Sequence, residues 1–246
     1  MKTPSATVLI VGNEVLSAKV RDENGPYAAR ALRERGVELT AVLTLPDRLE
    51  VLEEAVARER GRVDWLFTSG GVGPTHDDVT LLAVARALGR ELARHPVLAE
   101  NIRAWHRRRG KEAPEAALRM ADVPEGTRLL GDPRHPVMVV ENVVMLPGPP
   151  QFFRVQLDAF TVAIEAPPFR LECLFLDLGE EEFASLLERV AREHRAVDIG
   201  SYPRFDQADH RVKVTFESKD GLAVRAAVEA FLEVLPEGAL VRREGP

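Results

Sequence analysis

The sequence predicts an α/β chain in two parts: a three-layer domain around a mostly parallel sheet, then a small two-layer βαββαβ domain. Three observations predict it. Short, near-continuous apolar runs alternate with amphipathic helical stretches, the pattern of a parallel sheet covered by helices on both faces. Ala166-Pro167-Pro168 then interrupts the chain with adjacent prolines, which suit a domain boundary. Beyond it the order becomes strand, helix, strand, strand, helix, strand, a split βαβ arrangement. We therefore place the first domain at residues 1–166 and the second at 167–246.

Each element has a local reason. "TVLIVG" (7–12) is a β-rich apolar run that ends in glycine. "NGPYAARALRERG" reads as a helix, with Asn24 near its cap, Pro26 in its first turn and Gly36 past its end. "VELTAVLTL" is strand-like and stops at Pro46-Asp47. In "RLEVLEEAVARERG", Leu49, Leu52 and Val56 recur at helical spacing. "RVDWLFTS" is a buried strand that runs into a glycine loop, and "VTLLAVARALG" is a helix ended by Gly89. Pro96 opens a helix through "VLAENIRAWHRRRG", and "PEAALRMA" reads as another. "HPVMVVENVVMLPGPP" is a hairpin turning at Glu141-Asn142 and closed by a proline-rich corner, with a helix over 151–164 after it. In the second domain the strands are expected at 171–177, 197–202, 211–218 and 239–241, with helices at 180–194 and 222–235.

The 246 residues, 45% hydrophobic and 29% charged, suffice for packed cores in both parts. A formal net charge of -6 argues against a sequence-independent hold on nucleic acid. Arginine supplies 28 of the 33 basic residues, scattered along helical stretches. The single Cys173 excludes an internal disulfide and fits a reducing compartment. The apolar run after "MKTPSA" is too short for a signal peptide or a membrane span. The expectation is a soluble, cytoplasmic protein without membrane contact.

The chemistry concentrates in "TSGGVGPTHDDVT" (68–80). In an open parallel sheet, ligands sit beyond the carboxyl ends of the strands. Glu14 follows the first strand, Asp47 the second, and the glycine loop with Asp77 and Asp78 the third. Glycines at 70, 71 and 73 leave backbone amides uncovered, as an anion nest requires, and the next helix begins nearby. Two carboxylates beside a phosphate repel it unless a divalent cation stands between them, an arrangement that suits magnesium. The loop is neither GxxxxGK[ST] nor GxGxxG. An aspartate at 77 or 78 equally suits a helix cap at Val79. The basic run "WHRRRGK" (105–111) reads as a solvated helix face, and the six histidines show no metal-ligand spacing. Tyr202, Arg204 and Lys213, in "GSYPRFDQADHRVKV" (200–214), have the chemistry to reach a neighbouring site or to form an ordinary turn.

These motifs resemble a known family. "TSGGVGPTHDDVT" is similar to the signature loop of the MoaB/Mog-type molybdopterin-binding fold. More narrowly it resembles the amino-terminal domain of competence/damage-inducible protein A (CinA) and the molybdopterin-binding-like domain of eukaryotic FAD synthase. "VGNEVLSAKVRDEN", "LPDR", "ELARHPVL", the PGPP corner and "GSYP" stand in family order. The resemblance implies a nucleotide or pterin phosphate on the loop, at Ser69, Gly70, Gly71, Gly73 and Thr75 with Pro147 and Gly148. It implies chemistry at Asp78, Asp47 and Glu14, and a divalent metal (Mg, Mn or Co) held by Asp78 with Asp77. It also implies a homo-oligomer. The chain departs from the CinA pattern at "LLGDPRHPV" and at Gln151-Phe152-Phe153, and there it resembles the FAD synthase version. The expected function is metal-dependent hydrolysis of a nucleotide pyrophosphate such as FAD or ADP-ribose. The alternatives are a molybdopterin-binding protein of molybdenum cofactor biosynthesis and a nucleotide-binding module without turnover.

Overall fold

The computed structural model describes residues 3–204 and 209–245. These form two compact units, 1–166 and 167–246. In the first, strand β1 (Ser5–Val11) leads into a single helical turn, α1 (Asn13–Leu16), and then helix α2 (Asn24–Glu34). Strand β2 (Glu38–Leu45), helix α3 (Leu49–Glu59), strand β3 (Trp65–Ser69) and helix α4 (Thr80–Ala87) come next. The middle comprises β4 (Leu92–Arg94), α5 (Pro96–Arg107), α6 (Glu115–Leu118), β5 (Asp122–Pro124) and β6 (Arg128–Leu130). The hairpin β7 (Val137–Val140) and β8 (Val143–Leu146) and the helix α7 (Pro150–Thr161) complete the unit.

The main sheet has the order β2-β1-β3-β8-β7-β6. β2, β1, β3 and β8 run parallel, and β7 is antiparallel to both of its neighbours. Because successive side chains alternate faces, one apolar run feeds two cores. Val8 and Ile10 pack with Leu32 of α2 and Phe153 and Leu157 of α7. Leu9 packs on the other side with Val56 of α3 and Val84 of α4. Burial on both faces is why "TVLIV" reads as a continuous apolar run, and it gives the expected three layers.

The hairpin turns at Glu141-Asn142, as the sequence indicates. Glu141 takes a left-handed backbone (φ 50). The Asn142 side-chain amide donates to the carbonyls of Arg60 (2.9 Å) and Val63 (3.1 Å). The Glu141 carboxylate accepts from Arg60 and Arg90. This pins the turn beside the entry to β3 and sets the register in which β8 lies against it.

Three features depart from the expectation. β4 and β5 form a separate antiparallel ribbon, and β6 adds an outer strand. Each is only three residues long, and β4 is exposed throughout, so neither carries a readable period. "PEAALRMA" gives one helical turn and a 3-10 turn at Arg119–Ala121, because the chain is drawn into the ribbon at Asp122. α7 ends at Thr161, short of residue 164.

The second unit runs β9 (Arg170–Leu176), α8 (Glu180–Glu193), β10 (Asp198–Pro203), β11 (Val212–Ser218), α9 (Gly221–Leu232) and β12 (Leu240–Glu244). Its sheet, in the order β10-β11-β9-β12, is antiparallel throughout. Leu174, Leu176, Val214 and Phe216 meet Phe183 of α8 and Phe231 of α9 in its core. Asp220 caps α9 by accepting from the amides of Leu222 (2.9 Å) and Ala223 (3.2 Å). Part of the "GSYPRFDQADHRVKV" segment, residues 205–208, lies outside the described residues.

One buried side chain fastens the edge of the main sheet. Asn24, at the start of α2, is 5% exposed. Its side-chain amide donates to the Ser69 hydroxyl at the end of β3 (2.9 Å) and to the Gly148 carbonyl (2.7 Å). Asp22 holds the same turn by accepting from the amides of Asn24 and Gly25. Asn24→Ala leaves the Gly148 carbonyl and the buried Ser69 hydroxyl without their donor, so we expect a loss of about 2 kcal/mol in urea denaturation. A change smaller than about 0.5 kcal/mol would show that these bonds contribute nothing net.

Candidate functional site

A cleft of about 570 Å³ lies where the first three parallel strands and β8 end. It is lined by Glu14, Asp47, Gly70, Gly71, Gly73, Thr75, Asp77, Asp78, Pro147 and Gly148. The fold thus brings together every residue that the resemblance implicates in the site except Ser69. Ser69 sits beneath the cleft, 2% exposed, as the acceptor for Asn24. Val11, Val20, Val72, Met120, Pro149 and Pro150 complete the lining.

The glycine loop folds for reasons of its own. Gly70 and Gly71 have positive φ (101 and 65). The Gly70 amide donates to Leu146 O, the Thr80 hydroxyl to Gly70 O (2.8 Å), and the Thr80 amide to Gly71 O (2.9 Å). A Cβ on Gly71 would stand 2.2 Å from the Thr80 hydroxyl, and one on Gly70 2.4 Å from the Val11 carbonyl. Backbone geometry therefore requires both glycines whatever the loop binds. Gly73 is different: its Cβ would stand 2.6 Å from an Asp78 carboxylate oxygen, so it makes room for that side chain. Among the described residues, the amides of Gly71, Val72 and Gly73 have no protein acceptor. Those three donors are the open part of the nest.

One threonine gathers the two loop aspartates. The Thr75 hydroxyl donates to Asp77 Oδ1 (2.6 Å) and lies 2.5 Å from Asp78 Oδ2, which also accepts from the Thr75 amide (2.8 Å). Thr75, expected to touch phosphate, engages both carboxylates here. The Thr75 hydroxyl, and then the Asp77 amide, hold the Asp77 carboxyl below the usual aspartate range. Neither aspartate caps α4: Val79 takes the cap position, without a side-chain bond. Both carboxylates therefore stay available to a ligand. Asp47 Oδ2 accepts from the Asn13 amide (2.7 Å), which ties the second loop to the first. The Glu14 carboxylate folds back over Gly12, where a Cβ would stand 2.5 Å from it.

The electrostatics are one-sided. Among the described residues, four carboxylates line the cleft and no lysine or arginine does. Among the described residues, no three His, Cys, Asp or Glu side chains converge as a ready-made metal centre. Asp77 and Asp78, joined through Thr75, are the available donor pair. That pair fits magnesium or a similar hard cation, which takes one or two carboxylates and completes its shell with phosphate oxygens and water.

Other candidates fall elsewhere. His76 is exposed and outside the lining. The basic run ends α5 as a solvated face, with Arg107 paired to Glu100 and Arg109 stacked on Trp105. Sequence reasoning missed the apolar wall. Val20 and Met120 come from a loop and a 3-10 turn, and no period marks them.

Because its folded-state pKa is depressed, Asp77 favours the folded loop at neutral pH. It loses that contribution as pH falls through the acid range. Thr75→Ala removes the main cause, so the Asp77 titration should move up toward the ordinary aspartate value in carboxyl-carbon NMR. An unchanged curve would mean that the hydroxyl does not hold the charge.

Comparison with known proteins agrees with the fold. A protein of Aeropyrum pernix is 35% identical over 250 residues, covering 96% of this chain and 93% of its own. A "Probable FAD synthase" of Caenorhabditis elegans is 30% identical over 258 residues, covering 94% of this chain but 50% of the worm protein. The crystal structure of the protein CinA, with unknown function, from Thermoplasma acidophilum superposes with a TM-score of 0.59 at 26% identity. It covers 66% of this chain and 98% of its own. The model of the FAD synthase middle domain matches residues 168–244. With the "Probable molybdopterin binding domain" model matching residues 7–166, the chain belongs to that molybdopterin-binding-like family.

Proposed function

We propose that the chain hydrolyses the pyrophosphate bond of a nucleotide such as FAD or ADP-ribose, with a divalent metal. One observation carries this reading: among the described residues, four carboxylates and no basic side chain surround a loop with three open amides. A bare phosphate would be repelled there, whereas a phosphate that brings a divalent cation balances the charge. Similarity to a protein named Probable FAD synthase supports a nucleotide as ligand.

The roles divide by position. The amides of Gly71, Val72 and Gly73 bind the phosphate oxygens and stabilise the charge that develops on them. Asp78 and Asp77 hold the cation. Bound there, the cation supplies Lewis acidity and lowers the pKa of nearby water. Glu14, whose carboxylate has no protein hydrogen-bond partner among the described residues, takes the proton from the attacking water. Asp47, with one oxygen fixed by the Asn13 amide, orients that water with the other. A P–O bond forms to the water oxygen, the bridging P–O bond breaks, and two monophosphates leave.

A second reading has its own support. Val11, Val20, Val72 and Met120 offer an apolar wall on which a flat ring can lie. With the family description, that wall suits a pterin held without turnover.

Incubation with FAD, ADP-ribose or NADH plus Mg²⁺, Mn²⁺ or Co²⁺ should release AMP, seen by chromatography. Asp78→Asn should lower the rate by about two orders of magnitude or more while the chain stays folded. No metal-dependent AMP release from any of the three, together with a pterin-induced rise in Tm, would establish the second reading.

A further inference from the structure

The second unit holds a cavity of its own, of about 1090 Å³. Three elements border it: the start of β9 with Arg170 and Glu172, the first turn of α9 with Leu222 and Arg225, and the end of β12 with Arg243. Its volume is ample for a nucleotide-sized ligand.

Its wall contains a clamped arginine. Glu172, 7% exposed, lies on the same face of the inner strand β9 as the core residues Leu174 and Leu176. A carboxylate is costly there unless it is paired. Arg243 Nε donates to Glu172, and Arg243 Nη1 donates to Glu229 (2.8 Å). These bonds fix the guanidinium plane and use two of its five N–H donors. The other three have no acceptor among the described residues. Around the same cavity stand Arg170 and Arg225, neither with a carboxylate partner among the described residues, and Lys219. Asp220 is the one acid besides Glu172, and it caps α9 through Oδ1. Leu222 stands 76% exposed on the wall.

Unlike the cleft of the first unit, this cavity has a surplus of positive charge and needs no metal to receive an anion. Pre-oriented guanidinium forks match phosphate oxygens, and an exposed leucine beside them offers an apolar seat for a base. We propose that the second unit binds a nucleoside diphosphate here, with its phosphates on Arg243, Arg170 and Arg225 and its base against Leu222.

Calorimetric titration of the intact chain with ADP in EDTA separates this site from the metal-dependent cleft. The proposal expects saturable binding that weakens as salt rises, weakens at least tenfold in the double variant Arg170→Gln/Arg225→Gln, and is unchanged in Asp78→Asn. The double variant leaves the buried Glu172–Arg243 pair intact, so folding is preserved, and circular dichroism checks it. Absence of saturable binding, or unaltered affinity in the double variant, overturns the site. Inorganic pyrophosphate binding as tightly as ADP overturns the part assigned to the base and Leu222. Loss of binding in Asp78→Asn assigns the ADP to the cleft and refutes the second site.

Discussion

The geometry of the cleft depends on the buried side-chain amide of Asn24. Three separate pieces of chain reach the sheet edge: the turn into α2, the end of β3 and the PGPP corner after β8. Main-chain bonds hold β3 and β8 side by side as far as Gly70, whose amide donates to Leu146 O, but among the described residues they do not tie in the turn into α2. Asn24 does, with one donor to Ser69 and one to Gly148. The glycine loop and the proline corner then approach so closely that a Cβ on Gly148 would stand 3.4 Å from the Gly70 Cα. Two backbones that near each other make a narrow slot between the walls, and the carboxylates stand around it.

The second constraint is electrostatic. Collecting Glu14, Asp47, Asp77 and Asp78 at one strand edge, with no basic residue among the described lining, works against folding through like-charge repulsion. Short hydrogen bonds ease part of it: Thr75 bridges the two loop aspartates, and the Asn13 amide donates to one oxygen of Asp47. Glu14 has no such partner among the described residues. On the reading proposed above, this cluster, compensated by neutral donors at fixed positions and still open to solvent, meets a cation that comes with its ligand. The second unit inverts this logic: its cavity is basic, and its buried acid serves to hold an arginine in place.

Much of this was legible in the sequence, for identifiable reasons. Long apolar runs such as "TVLIV" announced a sheet buried on both faces, and Glu141-Asn142 announced the hairpin. Glu14, Asp47 and the loop could be placed together because a parallel sheet puts all its strand-to-helix loops on one edge. Beyond reach were features that depend on three-dimensional closure. The β4–β5 ribbon is too short and exposed to show a period. Met120 reaches the cleft only because that ribbon draws its 3-10 turn inward. The duty of Thr75 toward its aspartates, and that of Asn24 toward two distant acceptors, arise from atom positions that spacing does not encode. The cavity of the second unit was equally hidden, since its arginines lie far apart along the chain.

The central claim is that the glycine loop receives phosphate only together with a divalent cation. The most direct measurement tracks the backbone amide resonances of Gly71, Val72 and Gly73 by NMR during titration with ADP-ribose, with magnesium and in EDTA. The account predicts that these three amides shift in magnesium and stay in place in EDTA. Equal shifts in EDTA, or none in magnesium, would contradict it.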